Sequence, residues 1–160
     1  SDCGVIPEPS SEQLCEIAYE ASQIHELISN EKSKVAFLSF STQGSAEHYK
    51  VKKVQTAVEL FNVKYPNILH EGEIQFDAAI NPDISNKKIK NSQLNGDANV
   101  FIFPDLDSAN ISYKITQYLA GYQALGPILI GLNKPVNDLS RGCSVDDIIY
   151  VSAISAMQNN

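Results

Sequence analysis

The segment NDLSRGCSVDD, residues 137–147, concentrates side chains that can hold an anion and move a proton. It contains Arg141, the only arginine of a 160-residue chain that otherwise takes its positive charge from eleven lysines. Arginine differs from lysine chiefly where a planar, bidentate donor is needed. The segment therefore predicts a binding site for a small anionic group.

Two neighbours of Arg141 strengthen this interpretation. Ser140 adds a hydroxyl donor beside the guanidinium, and the two together can hold one anion. Ser144 and Asp147 have the spacing of a capping box, which would begin a helix whose N-terminal N–H groups also favour an anion. A structural role for Asp147 as a helix cap is compatible with a catalytic one, and Arg141 can alternatively form an internal ion pair with a nearby aspartate.

Other groups are weaker candidates. Cys143 would serve a covalent acyl-enzyme route, but no histidine is near it in sequence, so a bystander thiol is the simpler interpretation. The three histidines lack the HExxH spacing, and we expect no metal site. Further substrate-binding candidates are Asn137, Lys114, and Ser41 and Thr42 of the loop STQGS.

Helices and short apolar runs alternate along the chain. Apolar spacing predicts helices from Ser10 to Asn30, from Tyr49 to Tyr65, after Asp105, and over SVDDIIYVSAISAM. The helix after Asp105 carries Ile111, Ile115, Leu119 and Tyr122 on one face. Short apolar runs predict strands at 34–40, from 73, at 98–103, and at 126–132, with an excursion or a short helix over 81–97.

This alternation with short connections predicts an α/β fold: one domain over residues 1–160, with three α/β/α layers and a mainly parallel sheet. Such sheets bind ligands beyond the carboxyl ends of their strands. Three loops could meet there: STQGS (41–45), PDLDSAN (104–110) and NKPVNDLSRG (133–142).

Composition excludes several classes of protein. A formal net charge of −7 disfavours a nucleic-acid partner, which usually requires a basic face. No apolar run approaches the roughly 20 residues that span a bilayer. Three cysteines without CxxC spacing indicate free thiols, from which we expect a cytoplasmic protein.

Four segments together resemble the bacterial phosphate acetyltransferase (phosphotransacetylase) family. They are VAFLSFSTQGSA (35–46), EGEIQFDAA (71–79), FPDLDSANISYK (103–114) and GPILIGLNKPVNDLSRGCSVDDII (126–149). The resemblance covers essentially the whole chain, and residues 137–147 are its most specific part.

The resemblance implies a fold like one domain of the isocitrate and isopropylmalate dehydrogenases, and the reaction of acetyl-CoA and phosphate to acetyl phosphate and CoA. It also implies a homodimer, with CoA as a substrate and no resident cofactor. Family members are longer at the N-terminus, so we expect this chain to correspond to their C-terminal half. The family's cleft lies between two domains, and at least one further arginine comes from the other domain.

Position by position, the resemblance implies that Asp147 is the base for the CoA thiol. Ser140 would donate to the acyl carbonyl, and Arg141 would hold phosphate. To act as a base, we expect the pKa of Asp147 to be raised by desolvation. Tyr118 stands where family members often carry an arginine associated with CoA, which predicts a change in CoA binding.

Three alternatives remain at this point. The chain could be a non-catalytic phosphate- or CoA-binding or interaction domain, a phosphate butyryltransferase-like enzyme, or a covalent thiol enzyme using Cys143. Replacing Cys143 by alanine should leave most activity if attack is direct. We expect the 160-residue chain to bind phosphate or sulfate near Arg141 and to turn over little by itself.

Overall fold

A computed structural model describes residues 1–159. Its core is a three-stranded parallel sheet of β1 (Lys34–Leu38), β2 (Leu69–Ile74) and β3 (Val100–Ile102), in the order β2-β1-β3. Gly72 allows β2 to approach β1 closely, because a side chain there would meet Phe37 at 2.7 Å. The parallel sheet predicted from the sequence is confirmed.

Alternate residues of the central strand face opposite helical layers, as the two-residue period of a strand requires. Val35 and Phe37 pack against α1 (Ser11–Ser29) and α2 (Tyr49–Lys64). Ala36 and Leu38 pack against α3 (Phe76–Ile80) and residues that flank α4 (Pro82–Lys88). Both faces of the sheet are therefore covered, which gives the three-layer α/β/α arrangement.

The helix boundaries follow local capping chemistry. Ser10 and Gln13 form the capping box predicted for α1, and Asn30 ends that helix in a left-handed conformation. Asp105 caps α5 (Leu106–Tyr118) through its side chain, and Ser144 caps α6 (Val145–Met157). All four predicted long helices are present, and α4 accounts for the short helix expected within 81–97.

The strand predicted from residue 73 begins earlier and ends at Ile74. Gln75 donates its backbone N–H to Thr42 Oγ1 at 3.0 Å, and its carbonyl accepts from Ala78 and Ala79. The chain therefore leaves the sheet at Gln75, and Phe76 begins a helix instead of continuing the alternation that Ile74 started.

The strand predicted at 126–132 does not form. Leu129 donates its N–H to Asn137 Oδ1 at 2.8 Å, and its carbonyl accepts from Gln158 Nε2 at 3.2 Å. Side chains thus satisfy backbone groups that a neighbouring strand would otherwise pair, so this apolar segment packs without joining the sheet.

The apolar face predicted for α5 points outward. Ile111 and Ile115 are more than half exposed, and Leu119, the C-terminal cap residue, is 84% exposed. Only Ala109 of this helix is buried. No element of residues 1–159 covers this face.

Candidate functional site

The candidate site is built at the N-terminus of α6. Asp147 Oδ2 accepts the backbone N–H of Ser144 at 2.8 Å, and Ser144 Oγ accepts the N–H of Asp147 at 3.2 Å. This reciprocal pair is the capping box that the sequence predicted. It fixes the carboxylate of Asp147 at the start of the helix.

The pKa of Asp147 is lowered, contrary to the expected rise. The backbone N–H of Ser144 is the main cause, followed by the Ser144 side chain. Hydrogen bonds to the charged form stabilise that form. Asp147 is therefore an ionised helix cap near neutral pH, and the desolvation expected to raise its pKa is outweighed.

Ser140 and Arg141 lie in the turn just before this helix. Ser140 Oγ accepts the N–H of Gly142 at 3.3 Å, and its carbonyl accepts the N–H of Cys143 at 3.0 Å. Arg141 is exposed, and all ion pairs found within residues 1–159 involve lysines. The internal ion pair considered for Arg141 is thus not seen in the part of the chain that the structure describes.

A small pocket of about 90 Å³ joins this turn to α5. We call it the polar pocket. Ser140, Cys143 and Asp147 line it on one side, and Tyr113, Lys114, Gln117 and Tyr118 line it on the other. Arg141 is not among the lining residues, although its two neighbours in the sequence, Ser140 and Gly142, are.

The polar pocket combines a carboxylate, a hydroxyl and an ammonium group. Lys114 Nζ lies 5.7 Å from the centre of the Tyr113 ring. The pocket's lining within residues 1–159 contains no histidine that could activate Cys143. The pocket thus presents a carboxylate, a hydroxyl and a thiol on one side and a lysine on the other.

Asn137 is not brought to the polar pocket. Its Oδ1 accepts from Leu129, and its Nδ2 donates to Ser155 Oγ at 2.8 Å and to Gln158 Oε1 at 2.7 Å. These bonds tie the segment before the site to the end of α6. The side chain of this substrate-binding candidate is thus engaged by bonds within the chain.

Ser41 and Thr42 are buried and engaged inside their own loop. Ser41 Oγ donates to Glu73 Oε1 at 2.8 Å, and the N–H of Gly44 donates to the same oxygen at 2.7 Å. Glu73 is only 3% exposed. The loop predicted to cradle a phosphate instead encloses a carboxylate of this chain, so it does not present Ser41 and Thr42 to a ligand.

The turn before α5 is joined to α2, the helix that follows the 41–45 loop. Lys50 forms an ion pair with Asp105 at 3.2 Å, and Lys53 Nζ donates to the Pro104 carbonyl at 2.8 Å, which joins the start of α2 to the turn before α5. Residues 131–135 lie elsewhere, against α1 near Glu20 and Leu27. Because the 126–132 segment does not enter the sheet, its following loop does not share the sheet's carboxyl edge.

Glu73 is the polar residue that sequence reasoning missed. It lies at the end of β2, where the pattern indicated only a strand, and its partners are about 30 residues earlier. No local spacing connects a strand glutamate with a distant Ser/Gly loop.

Neither metal ligation nor membrane insertion finds support in the described residues. No group of three or more His, Cys, Asp or Glu side chains within 1–159 is placed to hold a metal ion. None of the helices in that range combines the length and apolarity needed to cross a membrane.

Comparison with known proteins matches the chain to one family. Residues 1–156 match the family described as phosphate acetyl/butaryl transferase. A phosphate acetyltransferase of Acetivibrio thermocellus is 50% identical over 158 residues, which are 99% of this chain and 48% of that protein.

Two solved structures have the same fold. The EutD phosphotransacetylase of Staphylococcus aureus superposes with a TM-score of 0.93 at 50% identity, covering 99% of this chain and 49% of that one. A phosphotransacetylase of Streptococcus pyogenes gives 0.95 at 45% identity, covering 99% and 48%. The chain thus spans about half the length of the curated relatives it matches.

Proposed function

This chain belongs to the phosphate acetyl/butaryl transferase family, and we propose that it carries the catalytic groups of a phosphate acetyltransferase. The observation that supports this most directly is the polar pocket, which brings Ser140 and Asp147 together beside the exposed Arg141. Acetyl is favoured over butyryl as the transferred group because relatives near 50% identity are phosphate acetyltransferases.

In the direction of acetyl-CoA formation, the CoA sulfur attacks the carbonyl carbon of acetyl phosphate. The C–S bond forms, the C–O bond to phosphate breaks, and the thiol proton passes to Asp147. Arg141 offers two parallel donors to the departing phosphate, and Ser140 donates to the carbonyl oxygen as it gains charge. Attack is direct, so Cys143 forms no acyl-enzyme.

The lowered pKa of Asp147 places a condition on this mechanism. A thiol ordinarily has a pKa of about 8.5, so an aspartate with a lowered pKa is a weak base toward it. Substrate that fills the polar pocket displaces water from the carboxylate and raises its pKa. We therefore propose that Asp147 becomes a competent base only in the substrate complex.

The partners follow from this reaction. CoA or acetyl-CoA, acetyl phosphate and inorganic phosphate are the ligands, with CoA acting as a substrate and no resident cofactor taking part. We propose a cytoplasmic homodimer that does not bind nucleic acid, and the net charge of −7 supports the last point. For the 160-residue chain by itself, phosphate binding with little turnover stays a prediction.

A hybrid enzyme tests the catalytic assignment. The matching half of the Acetivibrio thermocellus relative is replaced by residues 1–160, and acetyl-CoA formation is followed by thioester absorbance. We expect turnover, and we expect Ser140→Ala or Arg141→Lys to lower kcat by about 100- to 1000-fold, since each removes a donor to charge that develops in the transition state.

Ser152→Ala, an exposed serine later in α6, is the matched control and should leave kcat unchanged. A folded hybrid that keeps full activity with both site substitutions would contradict the assignment.

A further inference from the structure

Lys114 brings a primary amine to the cavity that holds the proposed reacting groups. The polar pocket has a volume of about 90 Å³ and is lined by Lys114 of α5 and, on the other side, by Ser140 and Asp147. The Lys114 Nζ lies 5.7 Å from the centre of the Tyr113 ring, within the range of a cation–π contact. An amine that can accept an acyl group and a carboxylate that can accept a proton therefore face one small space.

Most other lysines are engaged away from this pocket. Lys53 donates to the Pro104 carbonyl. Six more form ion pairs with carboxylates: Lys32, Lys34, Lys50, Lys52, Lys64 and Lys88. Lys114 is exposed and forms no ion pair within residues 1–159, not even with Asp147 in the same pocket. The space between the amine and the carboxylate can thus admit a bound acyl group.

We propose that Lys114 is a self-acetylation site whose acyl donor is acetyl phosphate bound in the polar pocket, an inference that rests on the proposed function. An acyl phosphate is an activated acyl donor, and a lysine amine is a nucleophile toward carbonyl carbon. With the phosphate on Arg141 and the carbonyl oxygen on Ser140, the carbonyl carbon lies in the cavity that Lys114 lines. Without CoA, no substrate thiol competes for this carbon.

The groups of the pocket balance the transfer. Asp147 takes one proton from the ammonium group of Lys114, which leaves a neutral amine. The nitrogen attacks the carbonyl carbon, so that an N–C bond forms and the C–O bond to phosphate breaks. The departing phosphate takes the second proton from nitrogen. The products are an acetylated Lys114 and inorganic phosphate, and Asp147 returns its proton to water.

The modification changes both the charge and the space of the polar pocket. Acetylation removes the positive charge of a lysine and its cation–π contact, here the one with Tyr113. It also adds an acetyl group to a cavity of only about 90 Å³. Anionic substrates should therefore bind less well, so that accumulated acetyl phosphate lowers transferase activity when CoA is scarce.

Acetylation rates of single lysines test the inference on the 160-residue chain. The chain is incubated with acetyl phosphate without CoA, and the acetylated fraction of each lysine is followed by peptide mass spectrometry. We expect Lys114 to react at least about tenfold faster than Lys90, because a bound donor is held next to its amine. Lys90 is exposed and forms no ion pair within residues 1–159. Inorganic phosphate should slow the reaction of Lys114 and leave that of Lys90 unchanged.

Two variants test the groups assigned to the step. Asp147→Asn removes the proton acceptor and should reduce the rate of Lys114 to that of Lys90. Asp146→Asn, at an exposed carboxylate outside the pocket lining, is the matched control and should leave the rate unchanged. Cys143→Ala should also leave it unchanged, because the amine attacks the donor directly and not through a thioester.

The hybrid enzyme described above provides a readout of activity. Incubation with acetyl phosphate before CoA is added should progressively lower its kcat/KM. Lys114→Arg keeps a positive charge, and its guanidinium does not lose the proton that acylation requires. This variant should hold its own starting activity during the incubation, whereas Lys90→Arg should decline like the parent.

Three results would overturn the inference. They are Lys114 reacting no faster than Lys90, loss of Lys114 acetylation in Cys143→Ala, and full activity of a hybrid that is acetylated at Lys114. If Lys114 reacts slowly but phosphate still shifts the backbone amide NMR signals of residues 140–147, only the inference fails. If phosphate does not bind there either, the proposed function fails with it.

Discussion

At the scale of single residues, Asp147 has both a structural and a proposed chemical role, and two substitutions separate them. Asp147→Asn keeps an oxygen that can accept the Ser144 N–H but cannot take a proton. Asp147→Ala loses both. We expect both variants to abolish acetyl transfer in the hybrid enzyme, and Asp147→Ala to lower the urea midpoint of the chain more than Asp147→Asn does. Equal destabilisation by both would contradict the cap described for α6.

The pH dependence of this cap has a definite sign. The folded pKa of Asp147 lies below its ordinary value of 3.8. A lowered pKa contributes stability that is present above the unfolded value and is lost as pH falls through the folded value. Circular dichroism should show α6 unchanged from pH 7 to pH 5. Any loss of α6 below pH 5 that protonation of Asp147 causes should be absent in Asp147→Asn.

Glu73 offers a prediction about the loop at 41–45. Glu73→Gln replaces a buried acceptor of two hydrogen bonds with an amide that brings its own N–H groups to the same place. We expect a loss of about 1–3 kcal/mol in the free energy of unfolding. Urea titration measures it, with the exposed Glu59→Gln as the matched control. A neutral result would mean that the carboxylate does not organise the loop.

At the scale of elements, the side chain of Asn137 holds the segment 127–130 in place. Asn137 bonds to Leu129, Ser155 and Gln158, so Asn137→Ala should cost about 1–3 kcal/mol of stability. The exposed Asn133→Ala should cost little in the same urea titration. Loss of phosphate binding without loss of stability would instead place Asn137 in contact with substrate.

Local patterns were sufficient for elements that fix their own boundaries. The capping residues Ser10 and Ser144 set helix starts through contacts within four residues, and β1 is a buried apolar run. The segment 126–132 has the same apolar composition as a strand. Whether it joins the sheet depends on Asn137 and Gln158. The positions of these two residues follow from tertiary packing and not from local spacing.

The candidate site also has one part that local sequence predicts and another that depends on contacts between distant segments. The turn at 140–147 is local, and the sequence predicted its cap and its residues. The enclosure of Glu73 by the 41–45 loop is a contact between distant segments, so the local pattern of that loop predicts ligand contacts for Ser41 and Thr42 that the structure does not show. The rise in pKa that a base at Asp147 requires is not found in the free chain, because the N–H of Ser144 lowers this pKa more than desolvation raises it.

At the scale of the whole molecule, acidic side chains with stabilised charge make folding sensitive to acid. Glu26 is the clearest case: the backbone N–H of Ser33, then Lys32, lower its pKa from 4.5 to about 2. Its contribution to stability is present above its ordinary value and disappears as pH falls toward about 2. The free energy of unfolding should therefore decrease over this interval.

Glu26→Gln tests this on the complete chain. We expect the variant to be less stable than the parent at pH 7 and to lose less stability between pH 5 and pH 2, so that the two curves converge in acid. Glu31→Gln, an exposed carboxylate just after α1, is the matched control for total charge. Parallel curves for Glu26→Gln and the parent would contradict the assignment.

The central claim is that Arg141 and Ser140 hold phosphate beside Asp147, and a phosphate titration of the 160-residue chain tests it most directly. Backbone amide NMR signals of residues 140–147 should shift saturably. Arg141→Gln should abolish the shift, Arg141→Lys should weaken binding about tenfold because the bidentate fork is lost, and Lys134→Gln should bind like the parent. Phosphate binding that is unchanged in Arg141→Gln would contradict the account.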